Sequence, residues 1–424
     1  MSSQSSAASG ANARSVACTI VAKNYFGFAR TLAESFCRAN EGNDFYILVA
    51  DRDHERERFA CRGAHVLFLE DLGIDAWRKI AFKFDIVELN TNVKATLLKS
   101  LLARGYPRAY YFDPDVYLYG SIGVLDRALD PASILLTPHS LSPLPTDGRR
   151  VVDRDLLKCG VYNLGFIGVR NTSQARAFLD WWEARCLAEG FNEPGLGLFV
   201  DQHWIDLVPG YFNEAVILRH PGCNVAYWNL HERLVREDAG EYAVEAGGGL
   251  HELVFFHFSG IDPQDIERVS KHQNRVTLGS RPDLRKLYAQ YVMRLLQNDH
   301  EQFAQEPYGF GAFANGRRIP AVLRRFYAAL PALGVDSDPF DIGSATYRFA
   351  KRHRLLGKPG RREGALPNSL TVDEENSGVL YAAGCGLRLA LAILGPTRFA
   401  MLSKFMRYYG IPNNQARIVF RGEP

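Results

Sequence analysis

What this sequence lacks narrows its reading before any motif is considered. It lacks an excess of either charge: 50 Lys and Arg stand against 47 Asp and Glu, leaving +3 over 424 residues. A uniformly basic surface is therefore excluded, and no nucleic-acid partner is expected. It lacks any CxxC pair or zinc-like spacing. Its seven cysteines, at 18, 37, 61, 159, 186, 223 and 385, are dispersed and odd in number, the pattern of reduced and mostly buried thiols. The opening MSSQSSAASGANARS has no apolar centre, so residues 1–14 read as a disordered small-residue tail rather than a secretion signal. A bacterial-type cytoplasm is the expected compartment. No internal repeat is visible. An unbroken apolar run of about 20 residues, long enough to span a membrane, is also missing. Its nearest substitute, Val379–Gly395, contains Arg388 and stops at Pro396, and reads as a core helix, with an interfacial helix as the alternative.

What is present is an ordinary globular composition, 47% apolar and 23% charged, in a chain long enough for two or three domains. Short apolar runs predict buried strands at 16–22, 45–50, 65–69, 109–112, 133–137, 165–169, 215–218 and 252–258. Helical spacing predicts helices at 26–39, 93–103 and 173–188. Strand and helix alternate, so the expected fold is α/β with a mostly parallel sheet. Past residue 261 the pattern turns helical, at 282–297, 319–330 and 345–354. The polar, Gly- and Pro-containing stretch 357–377 reads as a linker. The domains are then a catalytic domain over 15–264, a helical extension over 265–356, and a C-terminal helical segment over 378–424.

Charge is uneven. Between Gly316 and Glu363 lie eleven cations (Arg317, Arg318, Arg324, Arg325, Arg348, Lys351, Arg352, Arg354, Lys358, Arg361, Arg362) and four acids (Asp336, Asp338, Asp341, Glu363). That excess suits an anionic partner such as a lipid head group, and equally a solvated surface.

The sharpest chemical signal is Ala109-Tyr-Tyr-Phe-Asp-Pro-Asp-Val116. Asp113 and Asp115 follow a hydrophobic strand, and Pro114 stiffens the turn between them. Ligands of α/β sheets bind beyond the carboxyl ends of strands. Two carboxylates facing one point there are costly unless a cation neutralises them, and oxygen donors favour Mg²⁺ or Mn²⁺ bridging to substrate phosphates. A second signal is Phe255-Phe-His-Phe-Ser-Gly260. His257 is either a core histidine or a third metal ligand, and Ser259-Gly260 would let backbone approach a phosphate.

Taken in order, these pieces resemble the GT-A nucleotide-diphospho-sugar glycosyltransferases, nearest the retaining, family-eight-like branch. The resemblance rests on Lys23-Asn24-Tyr25, Val93-Lys94, Phe112-Asp-Pro-Asp-Val116, Tyr162-Asn-Leu-Gly-Phe-Ile167, Asp201-Gln202 before Trp204-Ile205, and His257-Phe-Ser-Gly260. It implies a GT-A fold over roughly the first 60% of the chain and transfer of a sugar from a nucleoside-diphosphate sugar, UDP favoured, to a hydroxyl acceptor. Asp113, Asp115 and His257 would hold Mn²⁺ or Mg²⁺. Asn24 and Tyr25, with Asp51, would lie near base and ribose; Lys94, Asn163 and Gly260 would line the donor; Asp201 and Gln202 would stand beside the anomeric carbon. The acceptor would be a glycan, a lipid-linked or a protein acceptor in bacterial surface-glycan or glycoconjugate synthesis. Separately from the resemblance, the basic stretch from Gly316 to Glu363 with the apolar Val379–Gly395 points to peripheral contact at the inner face of the membrane.

Two departures stand out. Lys23 occupies a position where the family commonly has an acid, and Ile261-Asp262-Pro263 replaces its usual Lys-Pro, leaving Lys271 or the basic stretch to compensate. Each residue also has a plainer role open to it: Lys94 on a helix surface, Asn163 in a turn, Asp201 capping the turn before Trp204. Rival functions are a sugar-phosphate nucleotidyltransferase, disfavoured because Ala-Lys-Asn-Tyr follows the first strand where a Gly-rich phosphate loop is needed, and a non-catalytic sugar- or membrane-binding module.

Overall fold

Strands buried on both faces are near-continuously apolar, and Val16-Ala-Cys-Thr-Ile-Val21, apolar but for Thr19, has every residue buried. In the computed structural model, which describes residues 14–53, 55–357 and 377–420, it is β1. The expected tail over 1–14, save its last residue, and the expected linker over 357–377, save its two ends, lie outside the described residues. So do Lys358, Arg361, Arg362 and Glu363 of the basic stretch.

The chain continues through β2 (Asp44–Val49), β3 (Ala64–Phe68), β4 (Arg108–Phe112), β5 (Val116–Leu118), β6 (Ile134–Pro138) and β7 (Tyr162–Arg170). Short β8 (Asn192–Glu193) and β9 (Leu198–Phe199) precede β10 (Ala215–Ile217), β11 (Leu234–Asp238), β12 (Glu241–Ala246), β13 (Gly249–Glu252) and β14 (Phe255–His257). Seven strands form the main sheet, in the order β10-β6-β7-β4-β1-β2-β3. Pairing is parallel throughout except at β7, which runs antiparallel to both β4 and β6. Helices flank the sheet, among them Phe26–Ala39, Lys94–Ala103 and Ser173–Glu189, the last capped by the Thr172 hydroxyl, which accepts from the Ala175 N–H at 3.1 Å. The α/β, mostly parallel fold read from the sequence is the fold observed.

One consequence of β7's reversal governs the site. The parallel strands β1, β2, β4 and β6 end at one edge of the sheet, and the antiparallel β7 begins there. The segments after β1, β2, β4 and β6 and the first residues of β7 therefore gather at one edge. Beneath it Phe112, Phe166 and Phe255 pack with ring centroids 5.2–5.4 Å apart, a core in which each aromatic pair contributes about 0.5–1.5 kcal/mol beyond area burial.

The expected single strand over 252–258 is a correction. Glu252 closes a three-stranded antiparallel sheet, β11-β12-β13, and the chain restarts as β14, paired with β5. The cysteines are also less hidden than expected: Cys18, Cys186 and Cys223 are buried, Cys37, Cys61 and Cys159 half-buried, and Cys385 exposed.

The described residues of Met1–Ile74 and Ile86–Gly309 form one compact unit, and those of Asp75–Asp85 and Phe310–Pro424 another. Helix Arg285–Gln297 belongs to the first. In the second, Arg324 of helix Ala321–Ala329 donates to the carbonyls of Ala81, Phe82 and Phe84 at 2.7–3.1 Å. Arg324 and Arg325 are buried, so two of the eleven cations belong to the interior and not to a solvated patch. Arg317, Arg348, Lys351, Arg352 and Arg354 are exposed.

The C-terminal segment corrects the sequence reading most sharply. Helix Ser377–Tyr409 is not a core helix: Leu387, Leu389, Leu391, Ile393, Met401 and Phe405 are all exposed. Its backbone breaks at Gly395 (φ 72°, ψ 166°), immediately before Pro396, giving two helical arms. Gly384–Tyr409, whose most apolar 18-residue window has a mean hydropathy of 1.3, is long and apolar enough by length and composition to cross a membrane.

Candidate functional site

Two ladders bring the acidic motif and His257 together. Strand β4 stops at Phe112, where the Asp113 N–H donates to Gly165 O (2.9 Å) and Pro114 ends the run. A tight turn follows, closed by Val116 N–H donating to Asp113 O at 3.0 Å, and β5 begins. Strand β14 pairs antiparallel with β5 in a register that sets His257 opposite Val116. The Phe258 N–H then donates to Asp115 O at 2.8 Å, bringing the two motifs side by side.

The result is a three-residue cluster in which one ligand atom from each of Asp113, Asp115 and His257 lies within 4.8 Å of the others. His257 Nε2 is 2.9 Å from Asp115 Oδ1 and 3.9 Å from Asp113 Oδ2. Burial alone would raise the Asp115 pKa, but the neighbouring imidazole holds it below the usual carboxylate range. Burial likewise opposes charge on His257, and the two carboxylates outweigh it, so its pKa is raised. The Tyr111 hydroxyl donates to Asp113 Oδ1 at 2.8 Å and fixes that carboxylate. Two carboxylates and one imidazole suit a divalent cation of the Mn²⁺ or Mg²⁺ class.

Lys94 opens its helix but is not on the surface. It is 1% exposed, with Nζ 2.7 Å from Asp201 Oδ2, 2.8 Å from Leu164 O and 3.9 Å from Asp113 Oδ1. Its ammonium also lies 4.1 Å from the Tyr111 ring centroid. Asp201 is equally buried. It does not cap the following turn, since its carboxylate is given to Lys94; burial raises its pKa and Lys94 opposes the rise. Gln202 spends both ends of its amide on backbone, accepting from Leu164 N–H at 2.9 Å and donating to Cys159 O at 2.8 Å. Asn163 is buried at the start of β7, with its Oδ1 3.2 Å from His257 Nδ1.

After β1, Asn24 is held with its Oδ1 buried and, among the described residues, without a hydrogen-bond partner. The half-exposed Tyr25 ring stacks on Phe28 at 4.8 Å, one face packed. Asp51, past the end of β2, is buried and accepts from the N–H groups of Lys23 (3.2 Å), Arg52 (2.7 Å) and Gly309 (2.7 Å). Burial pushes its carboxyl up to about 6, against the pull of Lys23 and those donors. Lys23 lies 3.5 Å from Asp53, so its charge is met inside the protein. Gly260 sits at φ 70°, and a side chain there would meet His272 Cδ2 at 2.4 Å. The Lys271 N–H donates to Gly260 O at 2.9 Å, bringing the loop that carries Lys271 against this turn.

Three contributors to the cluster carry no sequence signal strong enough to have been singled out. His139 ends its segment one residue past β6, Trp228 packs against both His139 and His257, and Gly165 lies under the His257 ring. Only Gly165 sat inside a quoted motif, and its role, leaving room for an imidazole, is visible only in three dimensions.

No family model matches the chain. It is similar to the uncharacterized protein YfnF of Bacillus subtilis (strain 168), 25% identical over 285 residues, spanning 66% of this chain and 92% of that protein. It is also similar to the uncharacterized protein YfnD of the same organism, 26% identical over 152 residues, 35% of this chain and 45% of that one. Among solved structures it is similar to the galactosyltransferase LgtC in complex with donor and acceptor sugar analogs, at 12% identity and TM-score 0.41, covering 66% of this chain and 95% of that one. The bifunctional glycosyltransferase WbbM gives 14%, TM-score 0.39 and coverage of 67% and 51%. Mouse xyloside xylosyltransferase 1 gives 12%, 0.36 and coverage of 57% and 96%.

Proposed function

We propose that this protein is a metal-dependent glycosyltransferase of the GT-A type, moving a sugar from a nucleoside-diphosphate sugar to an acceptor hydroxyl. The observation that carries the reading is the convergence of Asp113, Asp115 and His257 at the end of β4, beside a buried Lys94–Asp201 pair. The catalytic domain is the part built on the main sheet. Asp113, Asp115 and His257 would hold Mn²⁺ or Mg²⁺, which supplies charge neutralisation for the departing diphosphate. Tyr25 would stack on the base, with Asn24 Oδ1 free to accept from it and Asp51 bracing the ribose side through the backbone it holds. Gly260, bare of a side chain, would admit a phosphate, and the cation of Lys271 would face it.

Asp201 and Gln202 stand in the proposal as the pair beside the anomeric carbon. Asp201's carboxylate is already ion-paired, and a nucleophilic role would require breaking that pair in a buried setting. A front-face route asks for no such break: the acceptor hydroxyl attacks on the side of the leaving phosphate, whose oxygen takes the proton. That route predicts retention. The acceptor is a glycan, and the exposed apolar C-terminal arms suit one carried on lipid. The break at Gly395 divides the apolar helix into two shorter arms and falls inside the stretch long enough to cross a membrane, so the contact proposed is in the plane of the interface. The compartment proposed is the cytoplasm, at the inner membrane face.

Asp113→Asn and Asp115→Asn test the core of the reading. Hydrolysis or transfer from a panel of nucleotide sugars with Mn²⁺ is expected from the wild type and lost by at least about 100-fold in either variant, with melting unchanged. Wild-type turnover in either variant at saturating donor would refute it.

A further inference from the structure

His139 lies outside every motif read from the sequence, yet it sits at the head of a hydrogen-bonded line that ends on His257. We propose that His139 is a positioning residue: it fixes the amide of Asn163 so that His257 turns the lone pair of Nε2 toward the cation. The proposal rests on the reading of Asp113, Asp115 and His257 as a metal site.

The line begins at a group with one possible role. The Val161 carbonyl oxygen can only accept, and it lies 3.0 Å from His139 Nδ1, so Nδ1 carries a hydrogen. Burial keeps the ring neutral, its pKa pushed down to about 4. A neutral ring with hydrogen on Nδ1 has a bare Nε2, which must accept. Asn163 Nδ2 lies 3.4 Å from it and donates. That orients the amide with Oδ1 toward His257 Nδ1, 3.2 Å away, and an oxygen there calls for hydrogen on Nδ1. What remains is His257 Nε2, which in the metal-free protein donates its hydrogen to Asp115 at 2.9 Å and, with Nδ1 keeping its own, is the nitrogen that gives up its hydrogen when a cation takes that place. Reversing the first link reverses them all: a hydrogen on His139 Nε2 would swing the Asn163 NH₂ toward His257, leaving hydrogen on the very nitrogen a metal needs.

Packing holds the line in place. The Trp228 ring meets both imidazoles edge-on, each with centroids 5.2 Å apart, at 75° to His139 and 89° to His257. The His139 carbonyl accepts from Asn229 Nδ2 at 2.9 Å. Gly165 leaves the space: a Cβ there would come within 2.3 Å of His257 Cε1 and 2.7 Å of Asn163 Oδ1. Groups that orient a ligating histidine typically change metal affinity about 10–100-fold when removed.

The test uses the full chain and Mn²⁺ alone, with free Mn²⁺ counted by electron paramagnetic resonance. His139→Leu is expected to weaken binding about 10–100-fold. His139→Gln, whose Oε1 can accept from Asn163 as Nε2 does, is expected to stay within about threefold of wild type, a rescue that loss of packing would not show. Nitrogen-15 spectra of the metal-free wild type are expected to show His139 protonated at Nδ1 and bare at Nε2, the reverse of free histidine's preference. A hydrogen on His139 Nε2, or a folded His139→Leu that binds Mn²⁺ as wild type does, overturns the proposal alone. A wild type that takes up no Mn²⁺ brings down the metal reading and the proposal with it.

Discussion

Lys94 and Ile393 invert the ordinary order of burial in opposite senses. The lysine is 1% exposed and the isoleucine 73%. Around Lys94 each element of the surroundings meets the charge: the Asp201 carboxylate, the Leu164 carbonyl and the face of Tyr111. Around Ile393 the neighbouring Leu387, Leu389 and Leu391 are exposed as well, and the most apolar window of that helix has no buried residue. Buried polar groups and exposed apolar patches are the informative exceptions to burial, but they inform about different things. A buried, paired charge is expensive to break, so it reports on the geometry its own unit must keep. Exposed hydrocarbon costs the soluble fold little to remove, so it reports on something outside the chain.

The largest expected effect falls on the first of these. Lys94→Met leaves the Asp201 carboxylate buried without its partner and should cost about 3–5 kcal/mol in denaturant unfolding. The double variant Lys94→Met with Asp201→Leu should recover most of that loss, since replacing both charges removes the uncompensated one. A single variant as stable as wild type would show the pair to be solvated, and the comparison with Ile393 would collapse.

Asp51 sharpens the comparison, being a buried acid met by three N–H groups and by Lys23 at longer range. Its folded pKa of about 6 lies above the ordinary carboxylate value of 3.8. Below pH 4 both states hold the proton; between pH 4 and 6 the unfolded chain releases it first. Stability should therefore fall as pH rises through that window, by up to about 3 kcal/mol at 1.36 kcal/mol per unit. Asp51→Asn, which keeps one oxygen for the Arg52 and Gly309 donors, should flatten this part of the profile. Parallel pH profiles for the two proteins would contradict the assignment.

What could be read in advance follows from what each feature depends on. The β1 run but for Thr19, and β4 after Arg108, are apolar, and a strand buried on both faces leaves that mark in composition. Asp113 and Asp115 were legible because strand, proline and acids are neighbours in sequence. The sheet β11-β12-β13 was missed because its strands are polar and partly exposed, Glu241, Glu245 and His251 among them, with no continuous apolar run. Lys94 looks like any helix lysine, since its burial depends on Asp201, more than 100 positions away. His139 depends on Val161 and Asn163 across a crossing of strands, and no local pattern encodes that. The segment after Val379 shows a different limit. A helix apolar on every side has the same composition whether a core or a bilayer covers it.

The smallest expected effect on folding is the one that decides what the exposed arms do. Ile393→Asp replaces a side chain already in water, so the soluble protein's stability should change by no more than about 0.5 kcal/mol. Binding to anionic vesicles should respond far more. Seating one isoleucine in an apolar phase contributes about 1.5–3 kcal/mol, so the variant should bind about 10–100-fold more weakly in co-sedimentation. Electrostatics adds a second, separable part. No acid occurs from Ser377 to Phe420, while Arg388, Arg398, Lys404, Arg407 and Arg417 do. Each cation near an anionic leaflet contributes about 1 kcal/mol, and salt screens that share but not the hydrocarbon one. Wild type should thus bind at low salt, weaken at high salt without letting go, and lose the residue with Ile393→Asp. A full chain that stays in the supernatant at low salt refutes the interfacial contact. If light scattering then shows a dimer that Ile393→Asp dissolves, a second copy covers the arms and the lipid-borne acceptor loses its support.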